Sequence, residues 1–170
     1  MDKYGKLIDN RILRFERMLP GPIERVWDYL TDAEKRSKWF CGGTSVHEAG
    51  GEVQFVFNNS QLGFPRQPTP EKYKEFGDGF ISKAIVIEAE KPRLLVIEWD
   101  GVVRFELEEQ GDKVKLVLTH DMKDAKDTRT GAAAGWHTHL GILSDSLHGK
   151  TSKSFWTVHM AMEEEYAAIL

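Results

Sequence analysis

Residues 94–120, LLVIEWDGVVRFELEEQGDKVKLVLTH, decide the fold of this chain. Apolar side chains alternate with charged ones along 103–108 and 113–120, as they do in strands that have one buried and one solvated face. Asp-Gly at 100–101 and Gly-Asp at 111–112 separate the runs, and such pairs are typical of tight hairpin turns. The stretch therefore predicts an antiparallel meander of three strands, at 94–99, 103–108 and 113–120.

Two helices are predicted after this meander. Apolar residues at spacings of four, three and four predict a long helix with one buried face, which Gly149 ends: these are Trp136, Leu140, Leu143 and Leu147. The polar segment 121–130 is expected to be the linker that leads to it. A further helix near 154–168 is predicted from the spacing of Phe155, His159, Met162, Tyr166 and Ile169. The run Glu163-Glu164-Glu165 is interpreted as its solvent-facing side.

The residues before the meander complete the pattern of an α+β protein. A strand is predicted at 11–19, followed by short helices at 23–30 and 32–38. Further strands are predicted at 44–48, at 52–57 and from Phe80 onward, where Ile81, Ile85, Ile87 and Ala89 share a face. The polar stretch 58–79 between the last two is long for a loop, and long loops are often functional.

The composition excludes several classes of protein. Lysine and arginine total 23 and aspartate and glutamate total 27, a net charge of -4, whereas nucleic-acid binding needs a basic face. No apolar run reaches the roughly 18 residues of a membrane span, and no apolar core of a signal peptide follows the first residues. The single cysteine, Cys41, fits a reducing compartment. We therefore expect one cytoplasmic domain over 1–170 that binds no nucleic acid and enters no membrane.

Five stretches together resemble one family. They are PIERVWDYLTD at 22–32 with Trp39-Phe40, EAGGEV at 48–53, the proline-broken pair of strands at 90–99, the hairpin at 103–120, and GWHTHL at 135–140 with Leu143, Leu147 and Gly149. Their order is similar to that in SRPBCC (START-like) proteins, and most similar to the branch named for the activator of heat shock protein 90 ATPase. The resemblance implies a helix-grip fold, in which a curved antiparallel sheet of about six or seven strands wraps around a long C-terminal helix. It also implies an apolar cavity between sheet and helix, and no universal catalytic residue.

A small hydrophobic or amphipathic molecule is the ligand expected in such a cavity. Phenylalanine and tryptophan rings on the concave face would supply apolar surface, and His120 and His139, with Arg17, would supply polar anchors. Phe64, Tyr73 and Phe76 of the 58–79 stretch could lie over the mouth of the cavity. The predicted ligand-binding residues are Phe55, Phe57, Phe105, His120, Trp136, His139 and Leu140.

Two other functions stay open on the sequence alone. A filled interior with an exposed apolar patch would favour a protein-binding module, with a chaperone or another protein, or a second copy in a homodimer, against the sheet face or the 58–79 stretch. A cyclase- or hydrolase-like enzyme would need an acid–base pair in the cavity, such as His120 with Asp121 or with His139. No nucleotide, dinucleotide or hydrolase motif is present, so no catalytic residue and no cofactor is predicted. His137 and His139 point about 200° apart on a helix, so no metal site is predicted.

Overall fold

The computed structural model, which describes all 170 residues, confirms an α+β protein whose curved antiparallel sheet wraps around a long helix. The strands are β1 (Lys6–Ile8), β2 (Ile12–Pro20), β3 (Gly42–Gly43), β4 (Glu52–Phe57), β5 (Phe80–Glu90), β6 (Leu94–Glu98), β7 (Gly101–Gln110) and β8 (Lys113–Met122). The helices are α1 (Ile23–Thr31), α2 (Ala33–Arg36), α3 (Ala125–Leu147) and α4 (Phe155–Ile169), with short 3₁₀ turns at Asn59–Gln61 and Glu71–Phe76. All eight strands form one sheet, in the order β1-β2-β8-β7-β6-β5-β4-β3.

The central strands build the concave floor of the sheet in rows of side chains. Phe15 on β2 pairs with Leu118 on β8, which pairs with Phe105 on β7. The next row consists of Leu13, His120 and Val103, and all six side chains are at most 3% exposed. The long helix α3 crosses this floor with its predicted stripe buried, namely Trp136, Leu140, Leu143 and Leu147. The alternation in the sequence therefore predicts the buried side of each central strand correctly.

The helix α4 packs against α3 where α3 carries glycine. A Cβ at Gly131 would lie 3.8 Å from Oε1 of Glu163, and a Cβ at Gly135 would lie 3.9 Å from Cε1 of His159. Alanine would fit at these distances, but a larger side chain would force the two helices apart. The two glycines thus allow His159 and Glu163 to lie directly against α3.

The structure corrects the strand predictions at both edges of the sheet. The strand β1 is not predicted by the sequence, because three residues are too few to show an alternation; its turn to β2 uses Asp9 and Asn10, both at positive φ. The predicted strand at 44–48 is wrong. Thr44 still donates its N–H to the carbonyl of Gln54 on β4, but Val46 donates to the carbonyl of Thr31 on α1, so no strand continues to residue 48.

The end of β8 and the start of α3 also differ from the prediction. The segment 121–130 is not only a linker, because β8 continues to Met122 and α3 begins at Ala125. The first turns of α3 are largely exposed and carry no apolar stripe, so the spacing of their residues does not predict a helix.

The outer face of β5 is unusually apolar. Ile81 and Ile85 are 55% and 40% exposed, whereas Ala84 and Val86 point inward and are buried. A β-bulge between Val86 and Glu88 shifts the register, so that Ile87 is also exposed while Ala89 packs against the core. The four residues predicted to share a face are therefore divided between the two sides of the sheet.

None of the helices combines the length and the apolar content that a bilayer span requires.

Candidate functional site

An aromatic cluster occupies the space between the concave face of the sheet and α3. We call it the ring cluster, and it consists of Phe40, Phe55, Phe57, Trp99, Phe105, His120, Trp136 and His139. The ring of Phe40 lies at its centre, stacked on Trp136 at a centroid separation of 5.2 Å. It also meets Phe55 and Phe57 edge-on, at 5.5 and 5.1 Å. Stacked and edge-on contacts at these separations are favourable for aromatic rings.

The structure places all seven predicted ligand-binding residues on the buried side of the sheet or on α3. None of them is more than 7% exposed. Phe55 contacts Phe57, and Trp136 contacts Phe105 and His120. The ring of Phe40 connects these two groups with each other and with His139. The sequence did not single out Phe40 as a lining residue. It follows α2 in an irregular stretch, where no periodicity indicates the direction of a side chain.

Two open grooves of the surface do not match the predicted cavity. A groove of about 350 Å³ is lined mainly by charged side chains of β7 and its neighbours, including Arg104, Glu106 and Lys115. A second, of about 330 Å³, lies beside Gly21 and Asp112 at the turn between β7 and β8. Neither is lined by a residue of the ring cluster. The grooves lack the mainly apolar lining of small-molecule sites. Where the sequence predicts a cavity between the sheet and α3, the rings of the ring cluster pack against one another, so a ligand could bind there only if rings moved.

His120 is held in one neutral form inside the ring cluster. Its Nε2 lies 2.7 Å from the carbonyl oxygen of Asp100, and its Nδ1 accepts a hydrogen bond of 3.0 Å from Nε1 of Trp136. Nε2 therefore carries the proton. Burial lowers the pKa of His120, and the carbonyl of Asp100 offsets only part of this effect.

The acid–base pair considered from the sequence does not form. Both ring nitrogens of His120 have other partners, and the Asp121 carboxylate binds the guanidinium of Arg11 at 2.8 Å. His139 has a different partner, because its Nδ1 lies 2.7 Å from the carbonyl oxygen of Trp39. The geometry thus gives no support to proton transfer between these groups.

His137 and His139 project to different sides of α3, as their spacing predicts. Nδ1 of His137 lies 2.8 Å from the hydroxyl of Tyr166 on α4, which also accepts the N–H of Gly5. His139 is buried against Phe40 and Phe155. Burial lowers the pKa of both histidines to about 4, so both are neutral near pH 7.

The half-buried Arg17 and the buried Arg36 both donate to backbone carbonyls. Arg17, a predicted polar anchor, donates to the carbonyls of Glu16 and Lys3 near the β1 edge of the sheet. Arg36 was not predicted as a site residue, although its guanidinium lies 4.9 Å from the centroid of Phe55. It donates to the carbonyls of Cys41, Gly42 and Thr44 and thereby holds the turn that carries Phe40. Burial lowers the pKa of both guanidinium groups.

The first half of the 58–79 stretch is firmly attached to the start of α4. Phe155 donates its N–H to the carbonyl of Leu62 at 3.0 Å, and Phe64 donates to Ser152 at 2.9 Å. Gly63 has a φ of 78°, and a Cβ there would lie 1.9 Å from the carbonyl oxygen of Lys153. Only glycine permits this close approach, so this half has a fixed position.

Residues 71–79, which we call the lid segment, are held much less firmly. None of them is buried. Tyr73 stacks on Trp156 of α4 at 4.9 Å, and Nζ of Lys72 lies 2.7 Å from Oε2 of Glu163. Segments with so little buried surface open locally at low cost in free energy.

A continuous path of rings leads from solvent beneath the lid segment into the ring cluster. Phe76, which is 50% exposed, meets Phe80 edge-on at 5.3 Å. Phe80 contacts Phe57 at 6.2 Å, and Phe57 stacks on the partly buried Trp99 at 5.5 Å. Of the three aromatic residues expected over the cavity mouth, Phe76 lies on this path, Tyr73 covers Trp156, and Phe64 is 59% exposed beside Arg66.

The interpretation of 163–165 as a purely solvent-facing run is wrong for Glu163. Its side chain is 15% exposed, and Oε1 lies 3.3 Å from Nε2 of His159. Burial raises the pKa of Glu163, but hydrogen bonding from Lys72 and Tyr73 outweighs it, so that the pKa is lowered overall. The spacing of four residues between His159 and Glu163 was the available signal, since such pairs share a helix face.

Comparisons with known proteins agree on the fold. The sequence model described as "Activator of Hsp90 ATPase homolog 1-like protein" matches residues 20–148. The solution structure of a Bordetella parapertussis protein is 36% identical, covers 99% of this chain and 91% of its own, and has a TM-score of 0.81. No curated protein matches the sequence.

More distant structures share the fold alone. A conserved protein of unknown function from Enterococcus faecalis is 18% identical, covering 98% of this chain and 91% of its own, with a TM-score of 0.69. The Aha1 dimer from Colwellia psychrerythraea is 16% identical, covering 80% of this chain and 95% of its own, with a TM-score of 0.61.

Acidification is expected to destabilise the folded chain through its buried histidines. The pKa of His139 is about 4 in the folded chain against 6.5 for a free histidine. The unfolded chain therefore takes up protons first as the pH falls, so stability is complete above about pH 6.5 and is lost towards about pH 4. The urea midpoint should be lower at about pH 5 than at about pH 7.

The variant His139→Asn isolates the contribution of this group. Asparagine keeps an N–H donor for the carbonyl of Trp39 but does not titrate. The variant should therefore lose less stability between the two pH values than the native chain does. An identical loss in both proteins would contradict this assignment.

Proposed function

The chain belongs to the family of activator of Hsp90 ATPase homolog 1-like proteins, and from this premise we propose that it binds a small, planar, largely apolar molecule between the lid segment and the ring cluster. The START-like fold of the family supports a binding role in general. The observation that carries the proposal is the path of rings from Phe76 to Trp99, which connects solvent with the interior.

A planar molecule suits this path because its contacts are aromatic faces and edges. Phe57 and Trp99 lie nearly parallel, with 20° between their planes, and Phe80 covers Phe57 from the side of the lid segment. A ligand ring that displaced Phe80 would exchange one stacking contact for another at small cost. The side chain of Phe80 can move because it is 37% exposed, while its backbone stays paired with Phe57 at the start of β5.

The electrostatics of the ring cluster disfavour a cationic ligand. His120 and His139 are held neutral by burial, and the guanidinium of Arg36 lies against Phe55. That guanidinium donates to three carbonyl oxygens, while its Nη1 is buried without a hydrogen-bond partner. A cationic ligand would therefore lose its hydration without gaining an opposite charge.

Ligand entry is expected to perturb Trp99 first. Titration with 2-naphthol, followed through the indole N–H signals in NMR spectra, should shift the signal of Trp99, whose Nε1 donates to Ser82, in a saturable manner. Trp99→Leu keeps an apolar side chain but removes the stacking surface, and should weaken binding about tenfold. The indole signal of Trp39, which donates to the carbonyl of Tyr29, should move less.

Phe64→Ala provides the matched control, because Phe64 is an exposed ring of the same stretch outside the path. It should bind 2-naphthol like the native chain. Absence of saturable binding to the native chain, or equal weakening by both substitutions, would contradict the proposed site.

Docking of another protein on the outer face of the sheet is the second candidate function. Ile85 on β5 and Val102 on β7 flank Glu98 in one row, and both are exposed, by 40% and 38%. Ile81 and Ile87 extend this patch along β5. Exposed aliphatic clusters of this kind are typical of protein-binding surfaces. The family name points to a chaperone ATPase as partner, and the dimeric Colwellia structure points to a second copy of the chain.

Ile85→Lys should abolish docking on this face, because it places a charge at the centre of the apolar patch. If a chaperone of the Hsp90 class is the partner, the native chain should raise its ATP hydrolysis rate and Ile85→Lys should not. Ile169→Lys is the matched control, since Ile169 is 55% exposed on α4, away from the sheet. No stimulation by the native chain, or unchanged stimulation by Ile85→Lys, would exclude this role for the patch.

A further inference from the structure

One row of side chains crosses the outer face of the sheet and alternates carboxylates with aliphatic groups; we call it the outer row. The register pairs Glu52 on β4 with Ile85 on β5, and Ile85 with Glu98 on β6. It continues from Glu98 to Val102 on β7, and from Val102 to Asp121 on β8. Directly paired residues point to the same side of a sheet, so each exposed aliphatic side chain in the outer row lies between two carboxylates.

The cations beside the outer row already have partners. Nζ of Lys83 lies 3.6 Å from Oε1 of Glu52, and Nε of Arg11 lies 2.8 Å from Oδ1 of Asp121. Glu98, at the centre of the row, takes part in none of the ion pairs of the structure. The outer row therefore presents a negative charge without a counter-ion between two exposed aliphatic side chains.

The same face carries further negative charge along β5. Glu88 and Glu90 are exposed beside Ile87, and neither of them forms an ion pair. Arg104, the next outward-facing residue of β7 after the outer row, is paired with Glu106 at 3.3 Å. The whole chain has a net charge of -4. The apolar patch thus lies in a negative field, which attracts cationic partners and disfavours anionic ones.

The spacing of the outer row matches the turns of an α-helix. Neighbouring strands are about 4.8 Å apart, so Ile85 and Val102, which are two strands apart, are separated by about 10 Å. Helix residues seven positions apart are separated by about 10.5 Å on one face, and the residue midway between them would lie opposite Glu98. An extended segment spaces its same-face residues by about 6.8 Å and would not match all three positions.

We propose that the outer row docks a cationic amphipathic helix of a protein partner. Two aliphatic side chains of that helix, seven residues apart, cover Ile85 and Val102, and a lysine or arginine midway between them pairs with Glu98. A second copy of the same face fits poorly, because the outer row contains no cation that could pair with Glu98. The inference rests on the protein-docking role given above as the second candidate function, and it specifies the chemistry of the partner.

The test compares two helical peptides that differ only in charge. The first has leucine at every seventh position, lysine midway between the leucines, and alanine or glutamine elsewhere. The second has glutamate in place of each lysine. The native chain should bind the lysine peptide at least about tenfold more tightly, and this preference should shrink as the salt concentration rises. Affinities are measured by calorimetry at low and at high salt.

Substitutions locate the origin of that preference. Glu98→Gln removes the central charge and keeps the shape of the side chain, so it should reduce the preference for the lysine peptide several-fold. Glu108→Gln is the matched control, because Glu108 is exposed near the other end of β7 from Val102, and it should keep the preference. Ile85→Ala removes apolar contact without adding charge and should weaken the binding of both peptides.

The outcomes separate this inference from the docking role itself. Equal affinity for both peptides, or a preference that Glu98→Gln leaves unchanged, overturns the inference, and the face remains an apolar docking surface if Ile85→Ala still weakens both. Self-association of the native chain in the ultracentrifuge that Ile85→Ala abolishes would assign the face to a second copy and overturn the inference. Binding of neither peptide also overturns it, and the ATPase measurement with Ile85→Lys then decides the docking role independently.

Discussion

The stack of Phe40 on Trp136 is the contact on which the remaining interior depends. It joins the turn after α2 to the long helix α3, while the edges of the Phe40 ring meet β4 through Phe55 and Phe57. Three carbonyl acceptors around Arg36 hold that turn in place without a carboxylate. Because the ring cluster forms around Phe40, the sheet and α3 enclose an apolar interior. A row of rings from Phe76 to Trp99 connects this interior with the surface beneath the lid segment.

Polar groups inside this interior are matched to carbonyl oxygens or to each other. His120 lies between the Asp100 carbonyl and the Trp136 indole, and His139 binds the Trp39 carbonyl. These pairings fix neutral tautomers and leave little chemistry for acid–base catalysis. Nη1 of Arg36, whose guanidinium lies against Phe55, is an exception, because it is buried without a hydrogen-bond partner. A binding role is thus physically better supported than an enzymatic one.

Much of the fold could be predicted from local patterns. The alternation of Val103, Phe105 and Leu107 identifies the buried face of β7, and the spacing of Trp136, Leu140 and Leu143 identifies the buried face of α3. The candidate site could be predicted only in part, because its key contacts join residues distant in the sequence. Phe40 belongs to no periodic pattern, so its direction could not be predicted. The contact of His159 on α4 with Tyr73 joins two residues that are far apart in the sequence, so it could not be predicted either. The bulge at 86–88 likewise reversed the expected face of Ala89, since one extra residue changes the side on which every later residue lies.

The position of a bound aryl alcohol tests the central claim most directly. Intermolecular NOEs between 2-naphthol and the assigned side chains report which residues lie within a few ångströms of the ligand. NOEs to Phe57, Trp99 and Phe80 are expected if 2-naphthol binds beneath the lid segment. NOEs only to Ile81 and Ile85, on the outer face of the sheet, would contradict a site beneath the lid segment.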